Sequence, residues 1–444
     1  MLDQGYKPLY KYVKEFEKSV GDDGITVRIG VEREKGHTAV RDIRIYREGH
    51  EADNIFYVER TVKTMLYAYG GKHVYIDAPD YIVDEISRLY SHDGERAFDV
   101  DLMETVYCEP FGVSKRNAEE IVEIEDDKSL AGGFNGRRIG FDAGGSDRKV
   151  TACVDGETVF DDETVWFPKL NSDPEYHIAG IKDSIDRALE KLDGKLDAIG
   201  VSTAGIVVDD EVRLASLFRK VPKEIYAEKI APIYKNLSRD YGVPVKVAND
   251  GDVSALAGAV ALKQGRLLGI AMGTSLAAGY IDANLNIKGY INELAFAPVD
   301  ANRDAERDEW SGDVGVGTSY MSQDAVIKLF KDAKIEVDES LPPAEKLKVA
   351  QKLVNDGDPR AEELFEKMGE YFGYSIMYFS LFYDISTVMF LGSVASGRGG
   401  DILLRVASDV VKKESDGKIS IVIPDERTRR LGQSCVAASL VTID

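Results

Sequence analysis

Two glycine-rich loops constrain this chain more than any other feature. The first, Asp142-Ala143-Gly144-Gly145-Ser146, follows an apolar run at 139–141 and precedes an alternating run at 149–154. The second, Gly273-Thr274-Ser275, lies between runs at 267–271 and 277–281, with a further turn near 284–286. Both read as strand, tight loop, strand. The first unit continues through an Asp155-Gly156 hairpin turn into 157–160. A helix over about 178–192 follows, then a strand at 196–201 ending in Ser202-Thr203-Ala204-Gly205. Another helix leads to a strand at 243–247 that ends at Asn249-Asp250-Gly251-Asp252 and precedes a small-residue helix at 253–262. This is β-β-α-β-α-β order with polar or glycine residues at strand ends, where open α/β sheets hold ligands. In the second half a helix over about 361–383 carries Phe365, Met368, Phe372, Ile376, Phe379 and Phe382 as one stripe, read as core. A strand at 388–391 then ends in Gly392-Ser393. The repeated theme predicts a duplicated α/β domain closing on a cleft.

The loop chemistry suggests a phosphorylated ligand. Phosphate binding needs backbone N–H groups aimed into a concavity, and glycine permits that approach. Asp142 stands beside the first loop, where a carboxylate can hold hydrated Mg²⁺. Each loop alone is equally well an ordinary hairpin turn; the pair, at matching positions of two halves, favours a nucleotide triphosphate cleft. There is no GxxxxGK[ST] loop and no GxGxxG placed after a strand, so P-loop and Rossmann readings fall. The Asn249–Asp252 cluster offers a carboxylate able to take a proton from a substrate hydroxyl. The competing reading is a helix N-cap, for which Asn and Asp are favoured. The two roles can divide between Asp250 and Asp252.

Composition excludes other classes. The chain has 444 residues, 56 Lys+Arg and 78 Asp+Glu, for a formal net charge of -22. Nucleic-acid binders and proteins held on anionic lipid need clustered cations. A phosphorylated ligand would itself be bound against the overall field. No apolar run approaches the ~18 residues of a membrane span. The N-terminus reads as having no signal peptide. Three scattered cysteines and five isolated histidines argue against a disulfide scaffold, a zinc site or a Ser/His/Asp hydrolase, and fit a cytoplasmic protein.

Residues 1–113 read as a separate α+β domain. Strands are expected at 25–31, 39–46 and 73–76, a helix at 52–69 stopped by Gly70-Gly71, and a helix capped by Asp80 and running to residue 89. Its β-β-α-β order suggests a degenerate actin-like half, the alternative being an interaction or dimerisation module. Residues 114–137 are charged and glycine-rich and read as a linker. The boundaries then run 138–255 for a first lobe and 256–444 for a second, with the last helix packing back on the first.

The ordered set Asp142–Ser146, Ser202–Gly205, Asn249–Asp252, Gly273–Ser275, Asn292-Glu293 and Leu391–Ser393 resembles the ROK family of bacterial sugar kinases and repressors, within the actin-like, hexokinase-like ATPase superfamily. The resemblance covers about 138–444. It implies two ribonuclease-H-like lobes around a central cleft that takes ATP and a sugar. By position, Asp142, Gly144, Gly145 and Ser146 look like the first phosphate motif, with Asp142 toward Mg²⁺. Gly273, Thr274 and Ser275 resemble the second phosphate motif, and Gly392 part of the adenosine motif. Asp250 resembles the catalytic base. Asn249, Asp250, Glu293 and Thr203 fall at the sugar side. The implied activity is an ATP-dependent kinase acting on a hydroxyl of a hexose or hexose derivative. The alternatives are a non-catalytic sensor of sugar or nucleotide, and a polyphosphate-dependent kinase. Kinases of this fold are often dimers, so a homodimer stays open.

The departures are specific. The family's Cys-rich zinc motif is missing, so no zinc is expected. The family's histidine falls at Phe296, which implies a rebuilt sugar pocket. The segment Asp308–Asp313 lies where the zinc loop would begin; Trp310 in it is read first as core and second as a sugar-stacking ring. Asp147 follows the first phosphate motif and has to point away from phosphate or bind metal. No helix-turn-helix pattern is visible in 1–113.

Overall fold

The structure is a computed structural model that describes residues 2–125, 133–424 and 432–443. The chain divides into two compact units. One comprises Met1–Asp126, Ile270–Ala278 and Tyr290–Ile423; the other comprises Asp127–Gly269, Gly279–Gly289 and Pro424–Asp444. Among the described residues no helix is long and apolar enough to cross a membrane.

The N-terminal region runs α1 (Leu9–Val20), β1 (Ile25–Glu32), β2 (Thr38–Ile45), α2 (Glu51–Tyr69), β3 (His73–Asp77), α3 (Asp80–Leu89), α4 (Ala97–Tyr107) and β4 (Gly112–Lys115). Its sheet order is β2-β1-β3-β4. β1 is antiparallel to both β2 and β3, and β4 is parallel to β3. The expectation of a degenerate actin-like half therefore fails. Such a half has three meander strands before its first helix, so the strand after the helix runs parallel to the first. Here only two strands precede α2, and the helical crossover returns β3 in the opposite sense to β1.

The stretch read as a linker belongs in part to this domain. β4 runs into it, Ile121 is buried, and Thr38 and Ile124 exchange backbone hydrogen bonds of 2.8 and 3.0 Å. Its charged residues mislead because Glu119, Glu120 and Glu123 point outward while the backbone closes the sheet. Residues 126–132 of the expected linker lie outside the described residues. Asp80 does not cap α3: Pro79 occupies the cap, and the Asp80 carboxylate meets Lys115 Nζ at 2.5 Å.

The next sheet is built from β5 (Arg137–Ala143), β6 (Asp147–Val154), β7 (Glu157–Val165), β8 (Ala198–Thr203) and β11 (Val245–Asn249), with the ribbon β9 (Ile206–Val208) and β10 (Glu211–Leu214) inserted after β8. Helices α5 (Pro174–Glu190), α6 (Asn236–Tyr241) and α7 (Asp250–Leu262) accompany it. The order is β11-β8-β5-β6-β7, antiparallel through the β5–β7 meander and parallel through β5, β8 and β11. The register aligns Ala143 with Thr203 and Thr203 with Asn249. The loops that begin at Gly144 and Ala204 and the helix that begins at Asp250 thus leave one edge of one sheet. Ile139, Phe141, Val150, Ile199 and Val201 fill the core beneath, against Ile181, Ile185 and Trp166.

The second lobe pairs β13 (Leu276–Ile281), β12 (Leu267–Met272), β14 (Thr387–Leu391) and β15 (Ser420–Val422), in that spatial order. Its helices are α8 (Gln323–Asp332), α9 (Pro343–Asn355), α10 (Pro359–Phe379) and α11 (Gly397–Glu414). The predicted stripe on α10 is buried from Phe365 to Phe379; Phe382 lies beyond the helix end and is half-buried. A short helix, α12 (Gln433–Ala437), lies directly on the five-stranded sheet. A Cβ on Gly140 would stand 1.7 Å from the Ser434 carbonyl oxygen, and one on Gly200 1.7 Å from that of Ala437. Those two positions admit only glycine because a helix backbone rests on them.

Candidate active site

The first loop is clamped from below. Trp166, fully buried, donates from Nε1 to the Gly144 carbonyl at 2.8 Å and from its backbone N–H to Ser146 O at 3.1 Å. Both ends of the loop are thereby fixed, while Gly145 and Ser146 stay exposed. The turn after β7, Pro168–Leu170, carries Lys169 over the glycine pair, its Nζ 3.3 Å from the point a Gly145 Cβ would occupy. Asp147 accepts from Ser146 Oγ at 2.9 Å and lies 3.5 Å from Lys149 Nζ, so its charge is countered locally. Trp166 and Lys169 were not singled out in the sequence; nothing in their spacing from Gly144 signals contact before the β6–β7 hairpin folds back.

Asp142 and Asp250 sit on the same sheet edge. Asp142 is buried and accepts from Ser202 Oγ at 2.6 Å. Burial pushes its carboxyl up to about 6; the Ser202 hydrogen bond opposes this, and the Asp250 charge adds to it. Asp250 occupies the first turn of α7. Burial raises its pKa as well, against the backbone N–H of Gly251, which it accepts at 2.9 Å. A carboxylate raised in this way is a better proton acceptor than an ordinary aspartate. Asp252 has the other role: it is buried and accepts from the Tyr280 backbone N–H at 3.1 Å.

Asn249 is the N-cap of α7, accepting from Gly251 N at 2.7 Å, and its Nδ2 donates to Gly205 O at 2.7 Å. An amide has two donors and two acceptor sites, so one of each is left for a ligand. Capping and ligand binding are compatible. Thr203 is fully buried with its hydroxyl 3.1 Å from Tyr234 Oη, and it supports the edge from beneath.

The second loop is organised by its own lobe. Gly273 N–H bonds Ser275 O at 2.9 Å, leaving Thr274 and Ser275 exposed. Gly392 has φ +95°, and a Cβ there would stand 2.1 Å from Met272 O, so the Gly392 turn abuts the start of the second loop. Gln323, at the start of α8, links them: its backbone N–H bonds Gly273 O at 2.9 Å and its Nε2 bonds Ser393 Oγ at 3.0 Å. Gly273, Thr274, Ser275 and Gly392 are therefore neighbours, as their motif order implies, and Gln323 is an addition.

Glu293 stands in a long connection, half-buried, next to Asn292. Asn292 N–H bonds the Ala68 carbonyl at the end of α2 at 3.1 Å. Phe296 packs on Tyr67 and Phe98, with ring centroids 5.5 and 5.4 Å apart. Phe296, the position expected to mark a rebuilt pocket, thus packs on the N-terminal domain. Trp310 is not core: it is 77% exposed, because the Asp308 carboxylate collects the backbone N–H groups of Trp310 and Ser311 into a tight turn that turns the indole outward.

The ROK family profile matches residues 138–412, more than half of the chain, and the protein belongs to the ROK family. Solved structures agree in fold. A ROK hexokinase from Thermus thermophilus superposes with a TM-score of 0.54 at 19% identity, covering 68% of this chain and 97% of that one. A ROK family transcriptional regulator, a homologue of the E. coli MLC protein, gives 0.53 at 16% identity, covering 69% and 78%. A glucokinase from Parabacteroides distasonis gives 0.50 at 15%, covering 69% and 97%. No curated protein matches the chain. The fold is the actin-like ATPase fold of the hexokinase-like families, with an extra N-terminal domain.

Proposed function

We propose that the protein is an ATP- and Mg²⁺-dependent kinase that phosphorylates a hydroxyl of a hexose or hexose derivative, with Asp250 as general base. The observation that carries this reading is the position of Asp250: a half-buried carboxylate with raised pKa, at the end of β11, on the sheet edge that also holds Asp142 and the Gly144–Gly145 loop. The neighbouring folds include a hexokinase and a glucokinase, and also a regulator; a sensor has no need of a base at this position.

The chain's own groups divide the work. Asp250 takes the proton of the acceptor hydroxyl. Asn249, with one donor and one acceptor left over, orients that sugar, together with Glu293. The exposed amides of Gly145 and Ser146, and of Thr274 and Ser275, receive the phosphates of the donor, and Lys169 adds a positive charge above the glycine pair. Asp142 suits a divalent cation: burial makes its charge costly, one oxygen is already fixed by Ser202, and a bound Mg²⁺ would neutralise phosphate oxygens beside it. Local amides, Lys169 and the cation together answer the net charge of -22 that opposes a phosphorylated ligand. The same acidity argues against DNA as a partner.

The test is ADP release with MgATP across hexoses, amino sugars and N-acyl amino sugars, with Asp250→Ala as control. Turnover that depends on one sugar class and is lost in the variant is expected. No turnover with any sugar, or equal turnover by the variant, contradicts the kinase reading. Replacing ATP by polyphosphate in the same assay identifies the donor.

A further inference from the structure

Residues 282–316, between β13 and α8, form no helix and no strand, only turns and isolated bridges. Glu293 is in this connection. An irregular segment of this length needs outside partners for its backbone and its shape. For residues 290–316, which share a compact unit with the N-terminal domain, many of them come from that domain.

Four sets of contacts hold it. Near the N-terminus, Leu9 N–H bonds Val299 O at 2.9 Å, Ala301 N–H bonds Lys7 O at 2.8 Å, and Lys7 N–H bonds the Asp300 carboxylate at 2.9 Å. At the end of α2, the Ala68 carbonyl takes the Asn292 N–H, and Tyr383 Oη donates to Asn292 Oδ1 at 2.9 Å. The Tyr67 and Phe98 rings enclose Phe296. The fourth set is ionic. Asp313 lies 3.0 Å from Arg60, 2.9 Å from Lys63 and 2.7 Å from Arg96. Glu59 pairs with Arg60 at 2.5 Å and with Arg96 at 2.6 Å, and Asp99 with Lys63 at 3.0 Å. Three cations and three carboxylates thus balance in the interior. Burial alone would raise the Asp313 pKa, but Arg60, Lys63 and Arg96 hold it well below the carboxylate range.

Buried ion networks rarely add stability over a well-packed apolar core, and in some proteins they specify geometry instead. This network connects two helices of the N-terminal domain to the far end of the connection that carries Asn292-Glu293. We propose that the N-terminal domain is a positioning element of the sugar-binding half of the site, setting Glu293 through the Ala68–Asn292 bond and the whole connection through Asp313 and Phe296. This rests on the kinase reading above.

Arg96 is the outermost member, and its removal leaves Asp313 with Arg60 and Lys63. Arg96→Met and Phe98→Ala are each expected to raise KM for the acceptor sugar ~10-fold while leaving KM for MgATP within about twofold, since misplacing a substrate contact by ~1 Å costs this much or more. Arg96→Lys should restore most of the loss. Hydrogen exchange on the full chain should show faster exchange at the amides of Asn292, Ala301 and Val314 in Arg96→Met. Combined with Glu293→Gln, either variant should add little further loss, because both act through Glu293. If Arg96→Met does not fold, Phe98→Ala decides alone. Unchanged acceptor KM in folded variants overturns the inference, as does faster exchange without a change in acceptor KM, or an equal rise in both KM values. Absence of turnover in the unaltered protein overturns the kinase reading, and this inference falls with it; turnover with unaffected variants overturns this inference alone.

Discussion

The carboxyl edge of the five-stranded sheet and the 282–316 connection both carry residues of the proposed site, yet they are built on different principles. At the sheet edge, register does the positioning: β5, β8 and β11 end level, so Ala143, Thr203 and Asn249 arrive together, with Asp142 one residue behind, and the loops follow. The buried Trp166 and the α12 backbone resting on Gly140 and Gly200 complete it. In the connection no ladder exists, and position comes from side chains and carbonyls supplied by residues 7–9, 60–68 and 96–98. A sheet edge tolerates change in the residues around it as long as the strands pair. A connection fixed by a few buried charges should fail when one of them is lost.

The largest effect is expected at the sheet edge, where the proposed chemistry lies. Asp250→Asn should lower kcat by ~10²–10⁴-fold with little change in sugar binding; a loss below tenfold in steady-state assays would remove Asp250 from the base role. Next comes Asp313→Ala, which leaves three cations facing two carboxylates. Denaturation should show a loss of about 3–5 kcal/mol, and a loss under 1 kcal/mol would mean that the network does not govern the connection. Gly140→Ala should cost about 1–3 kcal/mol by pushing α12 off the sheet. Chemical denaturation of that variant read by the buried Trp166 would show it, and no change would mean that α12 is loosely held. Lys169→Met should raise KM for MgATP ~10-fold and leave the sugar KM unaltered; a rise in the sugar KM instead would misplace Lys169. The smallest effect concerns His177, buried among Trp166, Tyr176 and Phe218. Burial lowers its pKa. The unfolded chain therefore binds the proton more readily, so the stability due to neutral His177 is present above pH ~6.5 and declines as pH falls below it. Thermal melts at several pH values should show this decline, and His177→Phe should flatten it.

The same contrast explains what the sequence revealed. The five-stranded sheet was legible because local signals agree: alternation in 149–154, the Asp155-Gly156 turn, and polar clusters at the ends of β8 and β11. Asp250 and Asp252 differ only in which face of the first turn of α7 they occupy, which the sequence left open and the Asp252–Tyr280 bond decides. Lys169 was illegible because it reaches Gly145 only through the β6–β7 hairpin. The N-terminal domain was legible as elements but not as topology, since a missing third meander strand reverses β3 and leaves no mark on hydrophobic patterning. Asp313 stood in a polar, glycine-containing segment that gave no sign of burial, because its three cationic partners lie more than 200 residues earlier in the chain. Trp310 shows the converse: a large apolar residue was expected inside, and a local Asp308 turn overrides that tendency.

The most direct test of the central claim is ³¹P NMR of the protein incubated with MgATP and each candidate sugar, for the native chain and Asp250→Asn. A sugar phosphomonoester signal with the native chain, absent with the variant, is the predicted result. ATP binding with no sugar ester from any candidate, or the same ester formed by the variant, would contradict it.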